Sequence, residues 1–340
     1  AACTNPSAKI FINGKEVKML AYNGMIPGPL MKVPQGATIT VNFTNNTDVE
    51  TTIHSHGVRL ANKFDGVPDV TQKPIGIGEK FTYRLTFPDV GLYWYHPHIR
   101  EDYAQELGLY GNFLVTPSED SYWSPVNREV PLILDDILIG PDGIEPFHKQ
   151  LSNRTLMGRY GNVMLVNGET SYALQAQPGE VVRFYITNAA NARPFNLAIP
   201  GATMKLVGGD NGRYEQERIV ESALLNPSER AIVEVFFEKS GTFRLEHQTP
   251  DKTHLLGTII VSGATINPSY IDQFQIHREN KELQNEVLVL GSKIDGQVDK
   301  RLRLGLSMQG MGMMQQQAGG HDMHMMGSGA VMQNDIMTAD

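Results

Sequence analysis

The sequence predicts an all-β chain made of two copies of one antiparallel sandwich, and three observations carry that prediction. Apolar and polar residues alternate in short segments along the chain, as in Ile39/Val41/Phe43, Phe81/Tyr83/Leu85/Phe87 and Val182/Phe184/Ile186. Alternation of period two puts one face of a strand in a core. Turns rich in Gly, Pro and Asn separate these segments, the punctuation of a sandwich or barrel. The third observation is an internal repeat, and no stretch has the pattern of a long amphipathic helix.

The repeat runs through two pairs of segments. Gly36–Asn45 (GATITVNFTN) matches Gly179–Asn188 (GEVVRFYITN) position by position, and both close on Thr-Asn. Gly78, Leu85, Phe87 and Gly91 match Ser228, Val235, Phe237 and Gly241, with equal spacing from first to last. Each copy is therefore a domain of well over a hundred residues. The expected division is domain 1 at 1–117, a Pro-containing linker at 118–128 and domain 2 at 129–306. A closing strand is expected at 286–306 (EVLVLGSK to RLRLGL), and a Met-rich tail fills 307–340.

Two strands carry the residues of greatest chemical interest. His54-Ser55-His56 follows the β-branched run Thr51-Thr52-Ile53, and His96-Pro97-His98 ends the aromatic run GLYWYHPH. Residues two apart in a strand share a face. Each pair can thus present two imidazoles together, and two such strands can bring four into one small volume. One H-x-H alone is as well explained by surface or capping histidines; two pairs about forty residues apart are not. Four neutral imidazoles without an acidic ligand suit zinc, nickel or copper.

With these motifs on view the chain resembles the multicopper oxidases, the laccases and bacterial cuprous oxidases. The matching stretches are IHSHG at 53–57, FDGVPDVTQKPIGIGE at 64–79, GLYWYHPH at 91–98 and GLYGNFLV at 108–115. The resemblance implies that each copy is a cupredoxin-like Greek-key β-barrel. It implies a type 2 copper ligand at His54 and type 3 copper ligands at His56, His96 and His98. It also implies that Asp65, nine residues after His56, steers protons towards reduced oxygen; read alone, Asp65 is a turn residue of Phe-Asp-Gly. The activity implied is one-electron oxidation of a donor coupled to four-electron reduction of O2 to water. A phenol, an aromatic amine or Cu(I) could be the donor.

Carrying the repeat forward places Glu246 and Gln248 opposite His96 and His98, and FNLAIPG at 195–201 opposite IHSHG. The second copy keeps the scaffold without the ligands. His247 and His254 are read as ordinary histidines. A type 1 copper needs a cysteine thiolate with two histidines. The one cysteine, Cys3, has no histidine beside it. The resemblance therefore implies that this chain supplies four of eight cluster histidines. The rest, with the type 1 site, belong to a third cupredoxin domain expected beyond Asp340 or on another chain.

Of the fifteen methionines, nine lie after residue 307. A thioether is a soft ligand that selects Cu(I), so Met308, Met311, Met313, Met314, Met323, Met325 and Met326 are candidates for Cu(I) capture. The same segment cannot bury a core, and an interdomain loop with incidental methionines is the alternative reading.

A net charge of −8 and a pI of about 5.7 argue against nucleic acid as a partner. No apolar run is long enough to span a membrane as a helix. The family implies a periplasmic or extracellular location, and Ala-Ala-Cys at the start is similar to the tail of a lipoprotein signal. The alternative function is a copper-sequestering cupredoxin protein without turnover.

Overall fold

The computed structural model describes residues 2–3, 8–12, 15–150, 153–154, 157–294, 296–298 and 300–302. The seven candidate methionines and the rest of the tail lie outside the described residues.

The first copy closes around a core that includes Val41, Phe43, Tyr83, Leu85, Phe87, Tyr93, Tyr95 and Phe113. One side is a four-stranded sheet, ordered Met31–Pro34, Gly111–Thr116, Gly91–His96, His54–His56. The other side pairs Ala2–Cys3, Thr38–Thr44 and Lys80–Thr86. The second copy has a six-stranded sheet centred on Glu180–Asn188 and Arg230–Phe237 and a five-stranded sheet centred on Gly241–Gln248. Its core is equally apolar, with Phe184, Ile186, Val233, Val235 and Leu245 buried at its centre.

The repeat appears as equivalent pairings. Thr38–Thr44 pairs antiparallel with Lys80–Thr86, and Glu180–Asn188 pairs antiparallel with Arg230–Phe237. His54–His56 pairs with Gly91–His96, and Phe195–Ala198 pairs with Gly241–Gln248. Not every neighbour is antiparallel, as the alternation pattern led one to expect. Met31–Pro34 lies parallel to Gly111–Thr116, and Arg128–Ile137 lies parallel to Glu180–Asn188. These strands are far apart in sequence, so a crossover and not a hairpin joins them.

The strand expected at 286–306 is a second departure. Lys281–Ile294 is an α-helix. Asn280 caps it, with the Leu283 N–H donating to Asn280 Oδ1 at 3.2 Å. Glu282 sits in the first turn and Lys293 in the last, both favourable to the helix dipole. Helix-forming Lys, Glu, Leu and Gln around the cap outweigh the β preference of Val287 and Val289.

The strand Gly91–His96 is buried along its whole length. Tyr93 and Tyr95 face the first core. Leu92 and Trp94, on the opposite face, meet the second copy: Leu92 packs with Tyr185, Val207 and Ile232, and Trp94 with Ile133 and Ala189. Alternation then places His96 on the same outer face as Leu92 and Trp94. Polar contacts tie the same seam, where the Gln105 amide donates to Ala189 O at 2.8 Å and Arg159 pairs with Glu106 at 3.0 Å.

Candidate metal centre

The two H-x-H strands are direct neighbours. His54 lies opposite His96 and His56 opposite Trp94. The odd residue, Ser55, points the other way and is buried. The Tyr83 hydroxyl accepts from the Ile53 N–H at 2.9 Å and holds the start of the first strand. His98 follows the second strand, just before the short helix Glu101–Ala104.

All four rings converge. Centroid separations are 5.4 Å for His54–His56, 5.4 Å for His54–His96, 4.7 Å for His54–His98 and 5.5 Å for both His56–His96 and His96–His98. Ring nitrogens of His54, His56 and His96 all lie within 4.8 Å of one another. His56 Nδ1 and His96 Nε2 face each other at 3.3 Å.

Three of the rings have their other nitrogen engaged. His54 Nδ1 donates to the Asp65 backbone carbonyl at 2.6 Å, and His96 Nδ1 to Pro97 O at 2.8 Å. His98 Nδ1 lies 2.8 Å from Glu101 Oε1. A carbonyl oxygen only accepts, so His54 and His96 each carry a proton on Nδ1. This is the second-shell arrangement that orients metal-binding histidines. Burial, then the nearby Arg230, His54 and His98, pushes His56 down to about 4. Burial pushes His96 well below its ordinary value, reinforced by His54. Both rings are neutral at pH 7, as metal ligation requires. The donor set thus fits a borderline metal such as copper.

Asp65 is placed beside these rings. Its Oδ1 lies 3.4 Å from His54 Nδ1, and the interaction with that ring holds its carboxyl below the usual carboxylate range. Gly66 makes the approach possible: a Cβ there would lie 2.1 Å from Ile53 O, and its φ is +80°. Only glycine accommodates both.

Among the described residues, the second copy presents no such cluster. Glu246 accepts from Arg244 Nε at 2.7 Å and Gln248 Nε2 at 3.0 Å. His247 is buried, and its Nδ1 accepts from the Asn196 N–H at 3.0 Å. It stacks on His254 at 5.6 Å. Sequence reasoning did not find Glu101, Pro97 O or Arg230 at the site. His98 and Glu101 are three residues apart, a readable signal; the other two leave none in the local sequence.

Two family models, both described as multicopper oxidase, match residues 5–120 and 131–252. The chain is 31% identical over 300 residues to multicopper oxidase MmcO of Mycobacterium tuberculosis, covering 79% of this chain and 57% of that protein. A multicopper oxidase structure from Pseudomonas thermotolerans superposes with a TM-score of 0.68 at 30% identity, over 76% of this chain and 63% of that one. A Campylobacter jejuni multicopper oxidase, described as a metallo-oxidase, gives a TM-score of 0.68 at 30% identity, over 78% and 58%. The chain spans about three fifths of the length of several curated multicopper oxidases that it matches.

Proposed function

The chain belongs to the multicopper oxidase family, and from that membership we propose that it carries half of an oxygen-reducing copper cluster. His54 would serve a type 2 copper, and His56, His96 and His98 a pair of type 3 coppers. The remaining histidines and a type 1 copper would come from a third cupredoxin domain in the same or another chain. Copper, when bound, supplies the one-electron chemistry that couples donor oxidation to the reduction of O2 to water.

The observation that carries this reading is the convergence of four imidazoles, three with their second nitrogen held by an acceptor. The chain's own residues then have definable tasks. Asp65, Pro97 O and Glu101 fix ring orientation. The Asp65 carboxylate, part-exposed and beside His54, would carry protons from solvent towards the site. The second copy seals the outer face of the histidine strand with Trp94 between them, and serves as a spacer with no ligands of its own.

For the electron donor we favour Cu(I) over phenols and aromatic amines. Thioether softness at Met308, Met311, Met313, Met314, Met323, Met325 and Met326 supports this, as does the metallo-oxidase description of the Campylobacter jejuni relative. A periplasmic or extracellular site of action follows from the same reading. Among the described residues no helix is long and apolar enough to cross a membrane.

The test is oxygen uptake by the copper-loaded protein, with the type 1 domain present, against Cu(I) and a phenol. Four donors oxidised per O2, lost in His96→Ala, supports the oxidase. Copper retained without oxygen uptake would instead support sequestration.

A further inference from the structure

Arg230 begins a strand of the second copy, yet its guanidinium ends at the histidine strands of the first. Nε donates to Leu92 O at 2.9 Å, four residues before His96. Nη1 donates to Ser228 O at 2.8 Å and pairs with Asp210 at 3.1 Å. Nη2 abuts Gly57, the residue after His56: a Cβ at Gly57 would lie 2.7 Å from Nη2 and 3.3 Å from the Tyr93 ring. Gly57 has a φ of +82°. Any other residue there would strain the turn and push the arginine away. One cation thus reaches the strand that carries His96 and lies against the turn that follows His56.

The charge is fixed and poorly compensated on its inner side. Arginine does not lose its proton in proteins. Its side chain is 4% exposed, whereas its partner Asp210 is 46% exposed. Water screens the carboxylate far more than the guanidinium. The field of the cation therefore persists towards His56 and a metal bound there, and a nearby positive charge favours the reduced, less charged ion.

We propose that Arg230 is a positioning residue of the histidine site, holding the turn after His56 from the second copy and raising the reduction potential of copper bound by that histidine. This rests on the copper reading above. The experiment compares the unsubstituted chain with Arg230→Gln and Arg230→Lys, copper-free and copper-loaded.

In the copper-free protein, the Val58 amide donates to Ser55 O at 3.2 Å across this turn. Its hydrogen exchange is expected to rise roughly tenfold in both variants, since neither side chain makes all of the contacts. In the copper-loaded protein, a poised spectroscopic titration is expected to give a lower midpoint potential for Arg230→Gln and the unsubstituted value for Arg230→Lys. Restoration by lysine separates charge from loosened structure. Unchanged exchange and potential in Arg230→Gln would overturn the proposal, as would a lysine variant with the potential of the glutamine one. Copper content of the unsubstituted chain, with the type 1 domain present, is read first. Failure to bind copper there sinks the copper reading, while the exchange measurement still decides whether Arg230 holds the turn.

Discussion

Trp94 lies stacked on His96, with ring centroids 4.1 Å apart and planes inclined by 24°. The two residues are alternate members of one strand, so the indole underlies the imidazole. Its ring also lies 5.3 Å from that of His56, and it is wholly buried against Ile133 and Ala189 of the second copy. The seam between the copies and the floor of the histidine site are therefore the same side chain. Trp94→Ala should cost about 3–5 kcal/mol of stability in chemical denaturation, as for other buried aromatic truncations. A loss below about 1 kcal/mol would mean that the seam is not packed as described.

Glu101 should matter to metal affinity out of proportion to its exposure. It is the partner of His98 Nδ1 at 2.8 Å. Removing such an outer acceptor typically costs roughly 10–100-fold in affinity. Competition titrations with a copper chelator should show that loss for Glu101→Ala and a smaller one for Glu101→Gln, which can still accept. Equal affinity across the three proteins would exclude an orienting role.

Asp65 offers a split between structure and proton transfer. Its backbone carbonyl accepts from His54 at 2.6 Å, and Asp65→Asn retains that contact. Copper content should therefore hold while oxygen turnover falls roughly a hundredfold or more, the scale of a lost acid–base group. A fall in copper that matches the fall in turnover would assign Asp65 to binding instead.

Asp135 sets a pH dependence of stability. Burial, with the neighbouring Asp136 and Glu106 carboxylates, raises it well above the usual carboxylate range. A carboxyl raised in the folded state is protonated in both states at low pH, where its contribution is fully present. As pH rises past the unfolded value the unfolded chain alone releases its proton, so stability declines until the folded pKa is passed. Asp135→Asn should be close to the unsubstituted protein below the usual carboxylate range and should lessen the decline above it. Asp136 and Glu106 are also raised, so part of the slope should remain. Denaturant midpoints measured across pH would check this, and an unchanged slope would contradict it.

The site's ligands were legible because period two alone puts His54 with His56, and a strand continuing to His96 supplies a partner. The repeat was legible because Thr38–Thr44 and Glu180–Asn188 keep the same alternation and the same closing Thr-Asn. What holds the ligands was mostly hidden. Arg230 reaches Leu92 across 138 positions of sequence, and Pro97 contributes a backbone carbonyl that any residue possesses. The helix Lys281–Ile294 is poorly legible because its β-branched valines mask the cap at Asn280. The Met-rich segment remains a proposal from thioether chemistry alone.

The central claim is that copper sits among His54, His56, His96 and His98. Anomalous diffraction from copper-loaded crystals, collected on either side of the copper absorption edge, tests it most directly. Copper peaks among those four imidazoles are predicted, with none between His247 and His254. Copper bound elsewhere, with the four rings bare, would contradict the account.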